Sequence, residues 1–276
     1  MWPRRSPMIQ SPIVQDRLPE TAAASIQPAV PEESVANGEA CDGRRHGSPA
    51  TAVFEVVAAS GFPSQLALGG LLLAAGMTPF GADGQLSMTY LAVLMPADLV
   101  LLLAIVVWRI RAGGERVPDV LLGRRSWVRE CWLGVGLIPA VFGGVVAVML
   151  VLRTAWPALH NVDANPFEAL IQSPLDALTM GALVVLAGGL KEEVQRAFVL
   201  HRFDQHLGGA RLGLVLYSLV FGAGHIIQGY DVAIVTALLG LAWGTVFLWR
   251  RSLVAPAVSH AGFNAAQILQ FVGFGV

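Results

Sequence analysis

Apolar runs long enough to cross a membrane fill this 276-residue chain from Val53 onward, and they exclude most of the folds otherwise open to a chain of this length. The runs lie near 56–76, 88–108, 132–152, 177–200, 212–227, 232–249 and 253–274. A spanning helix needs roughly 20 residues. The chain therefore reads as an all-α integral membrane protein, a bundle of about seven transmembrane helices. Its composition agrees, with 55% hydrophobic and 13% charged residues and a mean hydropathy of +0.62.

The first fifty residues differ in kind. Pro3, Pro7, Pro12, Pro19, Pro28, Pro31 and Pro49 stand among Ser, Ala, Gln, Glu and Arg with no apolar period, so residues 1–50 are expected to form a disordered polar tail. No apolar core follows Arg4 and Arg5, which argues against a secretory signal. Residues 51–130 then hold the first two spans and a basic loop, and 131–276 the remaining membrane core. Arg109, Arg111, Arg116, Arg124, Arg125 and Arg129 mark that loop as cytosolic. Arg202, Arg211, Arg250 and Arg251 continue the alternation, with Arg153 as the exception. The N-terminus is thereby placed in the cytosol, and the usage of seventeen arginines against one lysine, Lys191, points to a bacterial inner membrane. Cys41 and Cys131 have no metal-ligand spacing around them. A net charge of -1 makes nucleic acid an unsuitable partner.

Three polar clusters interrupt the apolar helices of the last third. Ionisable groups are costly in hydrocarbon, so several on different helices point to one wet internal site. The first is Lys191-Glu192-Glu193-Val194-Gln195-Arg196, where Arg196 stands at i+4 from Glu192 and i+3 from Glu193. One carboxylate can neutralise the guanidinium while the other acts as a proton acceptor. A charged helix end snorkelling into water is the plainer reading. The second cluster is Phe221-Gly222-Ala223-Gly224-His225; a lone histidine of this sort also serves as a hydrogen-bonded packing residue. In the third, His260 and Asn264 share a helix face at i and i+4. Amide donors beside a switchable proton suit the tetrahedral intermediate of amide hydrolysis, although a polar seam between helices would use the same residues.

Together these clusters resemble the CAAX prenyl endopeptidase and bacteriocin-processing (CPBP) family of glutamic-type intramembrane proteases, over roughly residues 130–276. Its pattern is Glu-Glu-x-x-x-Arg, Phe-x-x-x-His and His-x-x-x-Asn on successive helices. Phe221 to His225 and His260 to Asn264 match in type, spacing and order. The first motif is one residue short, since only Val194 and Gln195 separate Glu193 from Arg196. Matching the glutamates makes Glu192 the base; matching the arginine puts Lys191 in its place, and a lysine cannot do that job. The resemblance implies that Glu192, assisted by His225, activates water, that His260 and Asn264 hold the oxyanion, and that Arg196 orients Glu192 and Glu193. It implies no cofactor. Zinc held by Glu and two His is the second choice, because no His-Glu-x-x-His helix is present. The expected substrate is a membrane-anchored peptide or protein segment near the cytosolic leaflet. A noncatalytic scaffold or bacteriocin self-immunity protein and a proton-coupled transporter are the rival classes; no internal repeat supports the last.

Overall fold

The computed structural model describes residues 48–81, 84–163 and 165–274. Most of the expected N-terminal tail, residues 1–47, lies outside the described residues. Ser48 starts the first helix, its hydroxyl accepting from the Thr51 amide at 3.2 Å. Helix α1 (Pro49–Ala59) and α2 (Phe62–Ala74) meet at a 45° bend. The first apolar run is therefore broken: Gly61 takes φ +82°, a left-handed value that favours glycine, and Pro63 fits the opening turn of α2.

Helix α3 (Met88–Ala112) leads through the short α4 (Val117–Leu121) into α5 (Trp127–Ala155). Next, α6 (Pro174–Val184), a π-helical segment (Val185–Glu192) and α7 (Glu193–His206) form one continuous rod. Helix α8 (Ala210–Ala223), α9 (Tyr230–Arg250) and α10 (Val254–Phe274) complete the chain. Among the described residues the extended pairing is one isolated bridge, Phe80 to Leu86.

The expectation of seven spans is met only in part. Four helices are long and apolar enough to cross: α3, α5, the α6–π–α7 rod and α9; the bent α1–α2 pair makes a fifth if counted as one span. Helix α8 has 14 residues, about 21 Å of rise against a hydrocarbon core of about 30 Å. Helix α10 is long enough at 21 residues, but His260, Asn264, Gln267 and Gln270 lower its hydropathy. Both pack against their neighbours in the bundle, α8 against α9 and α7, α10 against α5 and the π segment.

The two ends of the bundle differ in charge. At one end Arg109 and Arg202 both pair with Glu55, Arg202 Nη1 reaches Glu115 at 2.5 Å, and Arg250 Nη2 reaches Glu130 at 2.6 Å. Arg125 Nε also donates to the Arg250 carbonyl at 2.9 Å. At the other end the Tyr230 amide donates to Asn161 Oδ1 at 2.8 Å, and Arg153, the exception to the alternation, is bound to buried Asp231 at 3.2 Å. Beside it His160 Nδ1 lies 2.9 Å from the same Asp231 oxygen. The apolar core of Leu102, Val106, Ile110, Phe198, Leu200 and Phe247 fills the half of the bundle nearer the arginine-rich end.

Candidate active site

The site is built where α10 comes against the π segment. A π turn widens the helix and is often found at functional sites. Its Gly188 and Gly189 leave room for close approach: a Cβ on Gly188 would overlap Asn264 Nδ2 and come within 3.1 Å of His260 Nε2, and one on Gly189 would overlap Ala261. Asn264 Nδ2 donates to the Val184 carbonyl at 3.1 Å, where the α-helix gives way to the π segment. At this level rod and α10 are thus held in register by the Asn264 hydrogen bond and two missing methyl groups.

The two glutamates part company at the end of the π segment. Glu193 is buried, accepts from Arg196 Nη1, and holds His260 Nδ1 at 2.9 Å with the same oxygen. Arg196 is fully buried within an aromatic cage, 5.1 Å from the Phe221 ring centroid, 5.5 Å from Tyr217 and 5.8 Å from Trp243. Its Nε and Nη2 have no hydrogen-bond partner among the described residues. Glu192 instead lines a cavity of about 490 Å³ together with His225, His260 and Asn264. Its Oε2 lies 3.7 Å from His260 Nε2, so the imidazole stands between the two carboxylates.

His225 Nδ1 is 2.8 Å from the Phe221 carbonyl, which can only accept, so Nδ1 carries a proton. In the neutral ring Nε2 is then the free acceptor. The His260 ring is stacked on Trp243 at 3.8 Å and 17°, and Trp243 Nε1 donates to Ser259 Oγ at 3.2 Å. Of the six site candidates, four face the cavity and two, Glu193 and Arg196, stand behind His260.

Lys191 is elsewhere. Its Nζ lies 2.6 Å from Asp98 Oδ2, and Asp98 also accepts from Ser64 Oγ at 2.5 Å and Gln65 Nε2 at 3.0 Å. Asp98 was missed in the sequence, although a carboxylate in the middle of the apolar α3 run meets the same criterion that singled out Glu192. Trp243 was missed because an apolar helix offers no sign of which aromatic will meet a histidine. Tyr217, whose hydroxyl donates to the Glu192 carbonyl at 3.3 Å, was missed for the same reason.

Residues 174–266 match the family model of the type II CAAX prenyl endopeptidase Rce1-like proteins. This segment of the chain is Rce1-like. It runs from the start of α6 into α10 and contains all six site candidates, in agreement with the CPBP resemblance of the sequence. Comparison with curated proteins and with solved structures finds no match. For zinc, the donor set of this Rce1-like segment fits poorly: among the described residues no three His, Cys, Asp or Glu side chains group to hold a metal ion. The His260 nitrogen nearest Glu192 faces it at 3.7 Å, and Nδ1 is taken by Glu193.

Proposed function

We propose that the chain is a CAAX-protease-like membrane endopeptidase that hydrolyses peptide bonds of membrane-associated substrates through a glutamate-activated water. The observation that carries this reading is the division of labour between the glutamates. Glu192 lines a cavity shared with His225, His260 and Asn264, whereas Glu193 is spent on Arg196 and His260. That geometry favours matching the family's glutamates over matching its arginine, since Lys191 is turned to Asp98.

In the proposed reaction a water in the cavity gives a proton to Glu192, with His225 Nε2 as a second acceptor, while its oxygen forms a bond to the scissile carbonyl carbon. The carbonyl π electrons move onto oxygen. Asn264 supplies an amide hydrogen not used on Val184, and His260, held by Glu193 through Nδ1, donates from Nε2 when it carries both protons. Collapse re-forms the carbonyl and expels the amine, which takes the proton back from Glu192. The chemistry uses no metal or other cofactor.

The test compares wild type with Glu192→Gln, His225→Ala and His260→Ala on a library of membrane-anchored peptides, fragments being read by mass spectrometry. Cleavage by wild type that all three variants lose supports the protease. A second reading rests on the short Glu-Glu-x-x-Arg spacing: a noncatalytic scaffold or self-immunity protein that keeps the fold. Absence of cleavage by folded wild type would favour it.

A further inference from the structure

We infer that the cavity is loaded from the face of the membrane opposite the arginine-rich end, the non-cytosolic face, by a peptide segment of a membrane-anchored substrate. This rests on the endopeptidase reading for its occupant, while the side of entry stands on three observations of its own.

The first is where the cavity runs. Helix α10 begins at the arginine-rich end, where the Leu253 amide donates to the Leu121 carbonyl at 2.9 Å. His260 follows seven residues later, about 10 Å along the axis, and the cavity wall continues to Phe271, about 16 Å beyond. Every other wall agrees in direction. On α3 it is Leu91 and Met95, at the end away from Arg109; on α5 it is Val145 and Met149, away from Arg129. Asn165 and Glu168 in the 156–173 connection and Gln228 after α8 complete the far rim, with Asn165 Nδ2 3.5 Å from Gln228 Oε1.

The second is what closes the other end. Between the site and the arginines lie the packed core residues Leu102, Val106, Ile110, Phe198 and Phe247, all buried. Arg196 and Glu193, fully buried behind His260, add to the plug. A peptide entering from that side would have to dismantle the core, whereas from the far side it meets a rim of Asn165, Glu168 and Gln228 able to hydrogen-bond an extended backbone.

The third is charge. Ten arginines at Arg109, Arg111, Arg116, Arg124, Arg125, Arg129, Arg202, Arg211, Arg250 and Arg251 gather at one end, while 74–87, 154–173 and 224–230 contain no Lys or Arg. The positive-inside rule makes the first end cytosolic. Exposed Trp108, Trp127, Trp132 and Trp249 flank the same arginines, as interfacial anchors do. The sequence expectation puts the substrate near the cytosolic leaflet; under the inference the orientation read from the loops is kept and the mouth of the cavity lies at the opposite face.

Single cysteines decide the matter. Cys41 and Cys131 are replaced by serine, and Glu168→Cys, Gln228→Cys or, as reference, Arg124→Cys is introduced into the full-length chain. Intact cells expressing each variant are treated with a membrane-impermeant maleimide before or after permeabilisation. Labelling of Glu168→Cys and Gln228→Cys in intact cells, with Arg124→Cys labelled only after permeabilisation, is the expected result. Labelling at the two rim positions only after permeabilisation, or at neither under any condition, overturns the inference. The readout needs no turnover, so a protein that cleaves nothing still reports the side of entry. Where cleavage is measurable, maleimide at Gln228→Cys should lower it at least tenfold, and at Arg124→Cys leave it unchanged.

Discussion

Lys191 Nζ and Asp98 Oδ2 stand 2.6 Å apart in the interior of the bundle, and this pair turns the lysine away from the cavity that the next residue, Glu192, lines. A charge buried without its partner is far more costly than a buried pair. Lys191→Ala should therefore destabilise the protein by about 3–5 kcal/mol, the range for breaking a buried pair. Lys191→Met combined with Asp98→Leu should recover most of that loss. Thermal unfolding of wild type and the two variants in detergent checks both statements, and a double variant no more stable than Lys191→Ala would contradict them.

Glu192 and Glu193 should separate cleanly on mutation. Glu192→Gln is expected to lower cleavage by about 10²–10⁴-fold, the usual contribution of a general base, with unchanged unfolding temperature. Glu193→Gln leaves Arg196 buried without a counter-charge and should lower both activity and stability. Parallel measurements of cleavage and melting temperature distinguish the two patterns.

The glycines of the π segment answer to a steric test. A methyl at Gly188 meets Asn264 Nδ2 and His260 Nε2, so Gly188→Ala should push α10 outward, costing about 1–3 kcal/mol in overpacking and most of the activity. Gly136→Ala, at a position with open space around it, is the matched control and should change neither.

Trp243 supports the ring of His260 by stacking. Truncation to alanine opens a large void and should cost about 3–5 kcal/mol. Trp243→Phe keeps a stacking face but loses the donor to Ser259 Oγ, so it should retain the fold and lose part of the activity. Cleavage rates and melting temperatures of the two variants give the comparison.

Glu115, in the connection after α3, gives a pH dependence outside the membrane. Burial pushes its carboxyl up, but hydrogen bonds from His201, Arg202 and Gln205 prevail and hold it at about 2, against an ordinary 4.5. Because the folded state holds the proton less tightly, this stabilisation is complete above 4.5 and fades as pH falls from 4.5 toward 2. Glu115→Gln should melt below wild type at pH 7, and the gap should narrow as the pH is lowered toward 3. A gap independent of pH would show that Glu115 acts through packing alone.

Much was legible in the chain without coordinates. A run of apolar residues costs or gains energy residue by residue, so hydropathy alone is enough to read a helical membrane protein, and the expense of charge in hydrocarbon is enough to single out Glu192, Glu193, Arg196, His225, His260 and Asn264. The positions of the arginines likewise yield a consistent orientation, with Arg153 as its one misfit. What hydropathy could not provide was anything that depends on a neighbour. By length α8 is too short to cross and by composition α10 is too polar to count, and it is packing against α9 and α7, and against α5 and the π segment, that gives each its place. Which glutamate faces the cavity depends on the phase of a π turn, and the π turn exists in company with the close approach of α10 at Gly188 and Gly189. That Lys191 is paired with Asp98, far away in sequence, and Arg153 with Asp231 could not be read from the motif or the loops. Local energies add along the chain and can be read there; side-chain pairing and cavity direction arise from contacts between distant segments, and only the packed bundle brings those together.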